Sequence, residues 1–258
     1  MTSLRAITLG GLSWLALLSS PPGQATEPGI EWLVDCPKLP GRGLDQEVIA
    51  RTQCGIVTVP LDHQGSAPGR VRLSITRVGA RLPLARKGVV FTQSGTPHTN
   101  AHGIFAVHLA TVWKYANTEA YRSLTNLYDV IELSPRKQPA TAQSAWDMEF
   151  VRLQLGEEKI NYLGTAQGTG PGLGYGALFS HRVGRMVLIE PALDELSDDL
   201  VHMAFAQLPA ERRLVLKGPY LRGASSKTAG QCTNRWAGDY LANGTQPPRA
   251  SECLVKDQ

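Results

Sequence analysis

KINYLGTAQGTGPGLGYGALFSHRVGRMVL, residues 159–188, is the stretch around which the rest of the chain is arranged. Residues 160–164 form a short apolar run ending at a glycine. Gly164-Thr165-Ala166-Gln167-Gly168 follows, then small residues as far as Ala177, then a second apolar run over residues 185–189. This is the layout of a strand, a sharp turn, a helix and a further strand. Small residues on both sides let such a turn pass close to neighbouring backbone. The residue at its apex, Ala166, carries only a methyl group. A methyl group cannot attack a carbonyl, and no neighbouring base can activate it.

Upstream of this stretch, residues 141–155 place Ala145, Met148, Val151 and Leu155 on one face at helical spacing, and Gly156 stops that helix. Residues 127–133 and 88–92 read as short buried strands. Residues 104–126 hold one or two helices, with Thr118 before Glu119 and Tyr121 as a start. Residues 56–61 and 71–78 are strand-like around the turn residues of 62–70, which predicts an antiparallel hairpin. Residues 26–54 read as a mostly irregular lead-in, pinned by a disulfide and anchored by Ile30, Trp32 and Leu33. Downstream, residues 194–207 read as a helix with Asp194 and Glu195 in its first turn. Residues 213–217 form a last strand, with Arg212 and Arg213 flanking it in solvent. Residues 233–241 form a closing helix, stopped by Asn243-Gly244. Strands alternating with helices after a hairpin imply an α/β fold: a mostly parallel sheet with an N-terminal antiparallel hairpin and helices on both faces.

The composition is that of a globular protein, 42% hydrophobic and 19% charged over 258 residues, and no internal stretch is long and apolar enough to span a membrane. A formal net charge of +4 with no clustered basic stripe argues against nucleic acid as a partner. Arg5, the apolar residues 6–18 and Gly23-Gln24-Ala25 form the pattern of a secretory signal peptide cut after about Ala25. The expectation is an exported bacterial protein, periplasmic or extracellular, with residues 26–258 as one domain. Four cysteines suit an oxidising compartment and allow three pairings. The local one, Cys36 with Cys54 and Cys232 with Cys253, is favoured because each bond closes a short loop. Cys-x-x-Cys does not occur, which argues against zinc or thioredoxin-like chemistry.

Three blocks carry a resemblance: CGIVTVPLDH (residues 54–63), TAQSAWDMEFVRLQLGEEKINYLG (residues 141–164) and ALFSHRVGRMVL (residues 177–188). They resemble the secreted tripeptidyl-aminopeptidase branch of the α/β-hydrolases, which is related to the proline iminopeptidases. Residues 232–253, with DYLANGTQPP inside, resemble that branch's closing segment. The resemblance covers most of residues 54–192 and about 207–253. It implies an exported enzyme that removes amino acids or short peptides from peptide N-termini.

On that resemblance the turn is a nucleophile elbow, G-x-S-x-G, with Ala166 in the serine's place. Gln167 stands where the backbone N–H helps form the oxyanion hole. The second oxyanion loop, usually Asn-Pro-Gly-Gly-Pro-Gly, reads Thr92-Gln93-Ser94-Gly95-Thr96-Pro97 and keeps one glycine. The family's Asp-Pro-Arg-Gly appears as Ser134-Pro135-Arg136-Lys137. Where the family inserts a lid, a strand and the acidic triad member, only residues 190–207 separate the matching regions. The histidine position falls on Leu221 or Arg222, and no histidine follows His202. The resemblance therefore implies a truncated α/β-hydrolase fold without a lid, whose peptidase catalysis has been lost. A binding or interaction role follows, with a peptide or small-molecule ligand in a shallow cleft over the carboxyl ends of the strands. The alternative is a weak or repurposed hydrolase or aminopeptidase acting on peptides or esters. No cofactor is implied by either.

His98 and His102, with His108 close by, have a spacing at which imidazoles can share an ion, but no carboxylate or third ligand is evident beside them. Ser94 reads as a turn residue, Thr169 as a packing residue, and Trp113, Trp146 and Trp236 as core or rim packing.

Overall fold

A computed structural model describes residues 29–37, 39, 44–95, 104–116, 118–136, 141–218, 220 and 229–248. The expected signal-peptide segment (residues 1–25), Thr96, Pro97, His98, His102, Lys137, Leu221, Arg222 and Cys253 lie outside them.

The elements are β1 (Ile30–Trp32), α1 (Gln46–Ala50), β2 (Thr52–Pro60), β3 (Arg70–Val78), β4 (Gly88–Gln93), α2 (Ile104–Tyr115), α3 (Glu119–Leu127), β5 (Tyr128–Leu133), α4 (Thr141–Gln154), β6 (Ile160–Thr165), α5 (Thr169–Leu178), β7 (Val183–Ile189), α6 (Asp198–Gln207), β8 (Arg213–Leu216) and α7 (Ala229–Asn243). Eight strands form one sheet in the order β1-β2-β3-β5-β4-β6-β7-β8. β1, β2 and β3 pair antiparallel, and β3 runs antiparallel to β5. From β5 through β4, β6 and β7 to β8 every pairing is parallel.

The two-residue period of the strands sorts their side chains to two cores. Val90, Val130, Leu163 and Val187 face a cluster completed by Trp113 of α2, Tyr121 and Leu124 of α3, and Tyr240 of α7. Phe91, Ile131, Tyr162 and Met186 face the other, with Met148 and Val151 of α4, Leu173 of α5 and Ala204 of α6. Helices thus cover both faces, as the alternation of elements predicted.

Local rules act where they were read. Thr118 caps α3 through the Tyr121 amide, and Gly156 ends α4 at φ +69°. Within the mostly irregular lead-in lie two short elements, β1, paired to β2, and α1, whose cap Asp45 accepts from the amides of Glu47 and Val48 at 3.0 and 3.1 Å. Two expectations are corrected. α6 begins at Asp198 with Ser197 as its cap, while Asp194 and Glu195 belong to a short 3-10 turn before it. The flanking arginines are bonded rather than solvated. Arg212 donates to the carbonyls of Ser180 and Val183, and Arg213 to those of Phe205 and Leu208. Their guanidinium groups satisfy carbonyls that loop ends leave open.

Cys36 and Cys54 form the expected disulfide, which fastens the lead-in to β2. Cys232 is also disulfide-bonded. With its ends 18 positions apart, the first bridge should contribute about 3 kcal/mol by restricting the unfolded chain. The Cys36→Ala/Cys54→Ala variant is expected to lose that amount in urea-melt midpoints, with the slope analysed for denatured-state changes.

Candidate functional site

The elbow is built where β6 meets α5. β6 ends at Thr165, and Ala166 turns the chain at φ +48°, in the left-handed region that side chains other than glycine rarely enter. A 3-10 turn over Ala166–Gly168 leads into α5. Thr169 Oγ1 donates to the Ala166 carbonyl at 2.6 Å, and Tyr162 donates its hydroxyl to the Gly168 carbonyl at 2.5 Å. These bonds pin the turn from inside the core. Thr169 is therefore a packing residue, fully buried.

Two glycines allow the close approach of neighbouring backbone. A Cβ on Gly168 would overlap the Gln93 carbonyl, and one on Gly95 would overlap the Gln167 amide nitrogen and crowd the Ala166 methyl. The positions assigned from the sequence thus meet in space. Gln93 at the end of β4 lies opposite Gly164 in register. Ser94 and Gly95 follow it, and Gly95 packs against Ala166 and Gln167. Gln93 is buried and donates Nε2 to the Leu133 carbonyl at 3.0 Å, so its amide is directed at the sheet. Gln167 reaches instead across the rim, where Nε2 lies 3.1 Å from Glu195 Oε1. Leu221 and Arg222 lie outside the described residues, so the histidine position has no described geometry.

β7 is followed by a second left-handed residue, Glu190, also at φ +48° and exposed. With Asp194 and Glu195 it gives this edge an acidic rim. His108 is exposed on α2. Among the described residues no group of three or more histidine, cysteine, aspartate or glutamate side chains could hold a metal ion. None of the described helices is long and apolar enough to cross a membrane.

Two polar features escaped the sequence reading. The first is Glu132, buried in β5 on the side facing α2. Its Oε2 accepts from the Ala106 amide in the first turn of α2 at 2.8 Å. Burial pushes this carboxyl up to about 7, and hydrogen bonds from the Ala106 and Phe105 amides oppose the rise. A carboxyl raised in the folded chain binds more protons there than in the unfolded chain. Its contribution is therefore greatest at low pH, and stability falls as pH rises from the usual 4.5 through about 7. The expected loss is on the order of 3 kcal/mol. Glu132→Gln should flatten that part of the pH–stability curve, measured by urea melts at a series of pH values. The available signal was a single glutamate in the strand YDVIEL.

The second is a charged cluster where the β2–β3 turn meets α4. Arg136 grips Asp147 through Nε and Nη2, both at 2.7 Å, and donates to the carbonyls of Pro60 and Leu61 at 2.8 and 2.5 Å. His63 Nε2 lies 2.7 Å from Asp147 Oδ1. The His63 amide donates to Gln143, whose Nε2 donates to Asp62. Asp147 and Arg136 are 1% and 7% exposed at their side chains, so neither charge has water to fall back on.

With this geometry in place, comparison with known proteins adds the following. A model of the α/β-hydrolase fold matches residues 92–226. A tripeptidyl aminopeptidase of Streptomyces lividans is 26% identical over 226 residues, an alignment covering 67% of this chain and 41% of that protein. Its counterpart in Streptomyces coelicolor is also 26% identical, covering 67% and 40%. The chain spans about two fifths of the length of these relatives. Among solved structures, a juvenile hormone epoxide hydrolase of the silkworm Bombyx mori is similar over 55% of this chain and 36% of its own, at 14% identity and a TM-score of 0.39.

Proposed function

The chain belongs to the α/β-hydrolase fold family, and from that premise we propose that it is an exported member which has lost peptidase catalysis and serves a binding or interaction role. The observation that carries this reading is the elbow itself. The strained turn that presents a nucleophile in this family is present, and its apex residue is Ala166. The surroundings support the same reading. The loop over residues 92–97, Thr-Gln-Ser-Gly-Thr-Pro, keeps one glycine of the family's second oxyanion loop. An oxyanion hole needs donors held toward the developing charge. On this reading a peptide or small-molecule ligand sits in a shallow cleft at the carboxyl edge, where the exposed Gln167, Glu190 and Glu195 offer polar groups. Residues 1–25 are on this proposal a signal peptide and residues 26–258 one domain.

The resemblance to aminopeptidases keeps a second reading in view, a weak or repurposed hydrolase of peptides or esters. A fluorophosphonate activity probe separates the two. The proposal expects no covalent labelling of the purified protein. Labelling that maps to a hydroxyl at the carboxyl edge would establish the second reading.

A further inference from the structure

At the opposite edge of the sheet from the elbow, the connection between β3 and β4 displays a run of apolar side chains to solvent. Leu82, Pro83, Leu84 and Ala85 are all exposed, and Leu84 projects completely, at 104% relative exposure. Four consecutive exposed apolar residues are unusual unless they have a use. Nor is this a loose loop. The amides of Arg81, Leu82 and Lys87 donate to the carbonyls of Thr125, Asn126 and Leu127 at the end of α3, at 3.1, 2.9 and 2.7 Å. A 3-10 turn over Pro83–Ala85 closes it, with the Ala85 amide on the Leu82 carbonyl at 2.9 Å. The tip is held rigid, so presenting its leucines costs little ordering entropy on contact.

The residues that flank the tip in sequence are basic. Arg81, Arg86 and Lys87 flank the apolar run, and residues 81–87 contain no acid. Glu47 pairs with Arg81 at 3.2 Å, and Arg86 is shared between Asp129 and Glu157. Lys87 is exposed beside them, and Arg122 is exposed on the helix that holds the loop. Arg81 and Arg86 are thus paired with carboxylates while Lys87 extends the basic flank, and an apolar tip flanked by basic residues is complementary to a layer with acyl chains beneath anionic headgroups. We propose that the Arg81–Lys87 loop is a membrane-surface contact that seats Leu82 and Leu84 among the acyl chains of anionic phospholipid. The elbow at the carboxyl ends of the strands then faces away from the lipid. The inference does not depend on whether catalysis has been lost.

Co-flotation of the purified chain with vesicles tests it. Vesicles of phosphatidylcholine mixed with phosphatidylglycerol should carry the protein, and vesicles of phosphatidylcholine alone should carry much less. Both leucines are on the surface, so Leu82→Ser/Leu84→Ser should keep the parental thermal midpoint. Its partitioning should fall by roughly tenfold per leucine. Lys87→Glu should weaken binding about fivefold or more, and added salt should do likewise. Leu178→Ser, which alters an exposed leucine on α5, should bind as the parent does. Absence of flotation, or equal flotation of parent and double variant, would overturn the proposal. So would self-association in light scattering that disappears in the double variant, because the tip would then seat protein.

Discussion

Ala166→Ser is expected to leave the chain without peptidase activity. The new hydroxyl would sit on a suitable turn, since the backbone there already has φ +48°. A serine at such a site acts only when a base takes its proton and an oxyanion hole receives the charge. The sequence supplies no histidine beyond His202, and the expected position is Leu221 or Arg222. On the oxyanion side, residues 92–97 keep one glycine of the family's loop. One such donor is commonly worth ~3 kcal/mol of transition-state stabilisation, and each missing triad member several orders of magnitude in rate. Hydrolysis of unblocked peptide amides and simple esters by parent and variant is the measurement. A gain of a hundredfold or more in the variant would mean that a base and an oxyanion hole survive, and that a single residue had been removed from otherwise intact machinery.

The largest stability effect is expected at Asp147. Asp147→Ala leaves the Arg136 guanidinium buried, with two carbonyls but no counter-charge, and takes away the partner of His63. Breaking one side of a buried pair typically costs 3–5 kcal/mol, chiefly through the stranded charge. Urea melts at neutral pH should show a loss of about that size. Arg136→Met with Asp147→Leu removes both charges and should recover much of it, because the desolvation cost disappears together with the attraction. If the double variant is as unstable as Asp147→Ala, the cluster stabilises through its bonds to Pro60, Leu61 and His63 rather than through charge pairing.

These two sites differ in how far the sequence disclosed them. The elbow was legible because its requirements are local: glycines at 164 and 168 and an apolar strand on either side leave few other shapes. The expected meeting of residues 93–95 with residues 166 and 167 followed from the family resemblance, and Gly95 does pack against Ala166. The Asp147 cluster joins residues 84 positions apart. No period or cap records such a meeting, and Asp147 read as one more polar residue in a helix. Glu132 was hidden for a similar reason, since strand alternation tells which side a residue faces but not that an amide pair waits there. The start of α6 was misjudged because Asp194 and Glu195 suit a first turn, while the bond that decides it comes from Ser197. β1 went unread because three residues carry too little pattern. Arg212 and Arg213 were placed in water because charge is the usual signal for exposure, whereas the carbonyls they satisfy become apparent only in the fold.

The strand order bears on how the chain reaches this state. β4 is buried along its whole length and lies between β5 and β6. Its partner on one side, β6, is synthesised only after α2, α3, β5 and α4. Until then Val89, Val90 and Phe91 present an open apolar edge, the kind that recruits another chain instead. The β2–β3 hairpin faces no such delay, since its strands are neighbours in sequence and such ribbons close in microseconds. Productive folding thus becomes a race between β6 docking within the molecule and collisions between molecules, and only the second slows on dilution. Refolding yield should therefore depend on protein concentration far more steeply than the stability of the finished fold does.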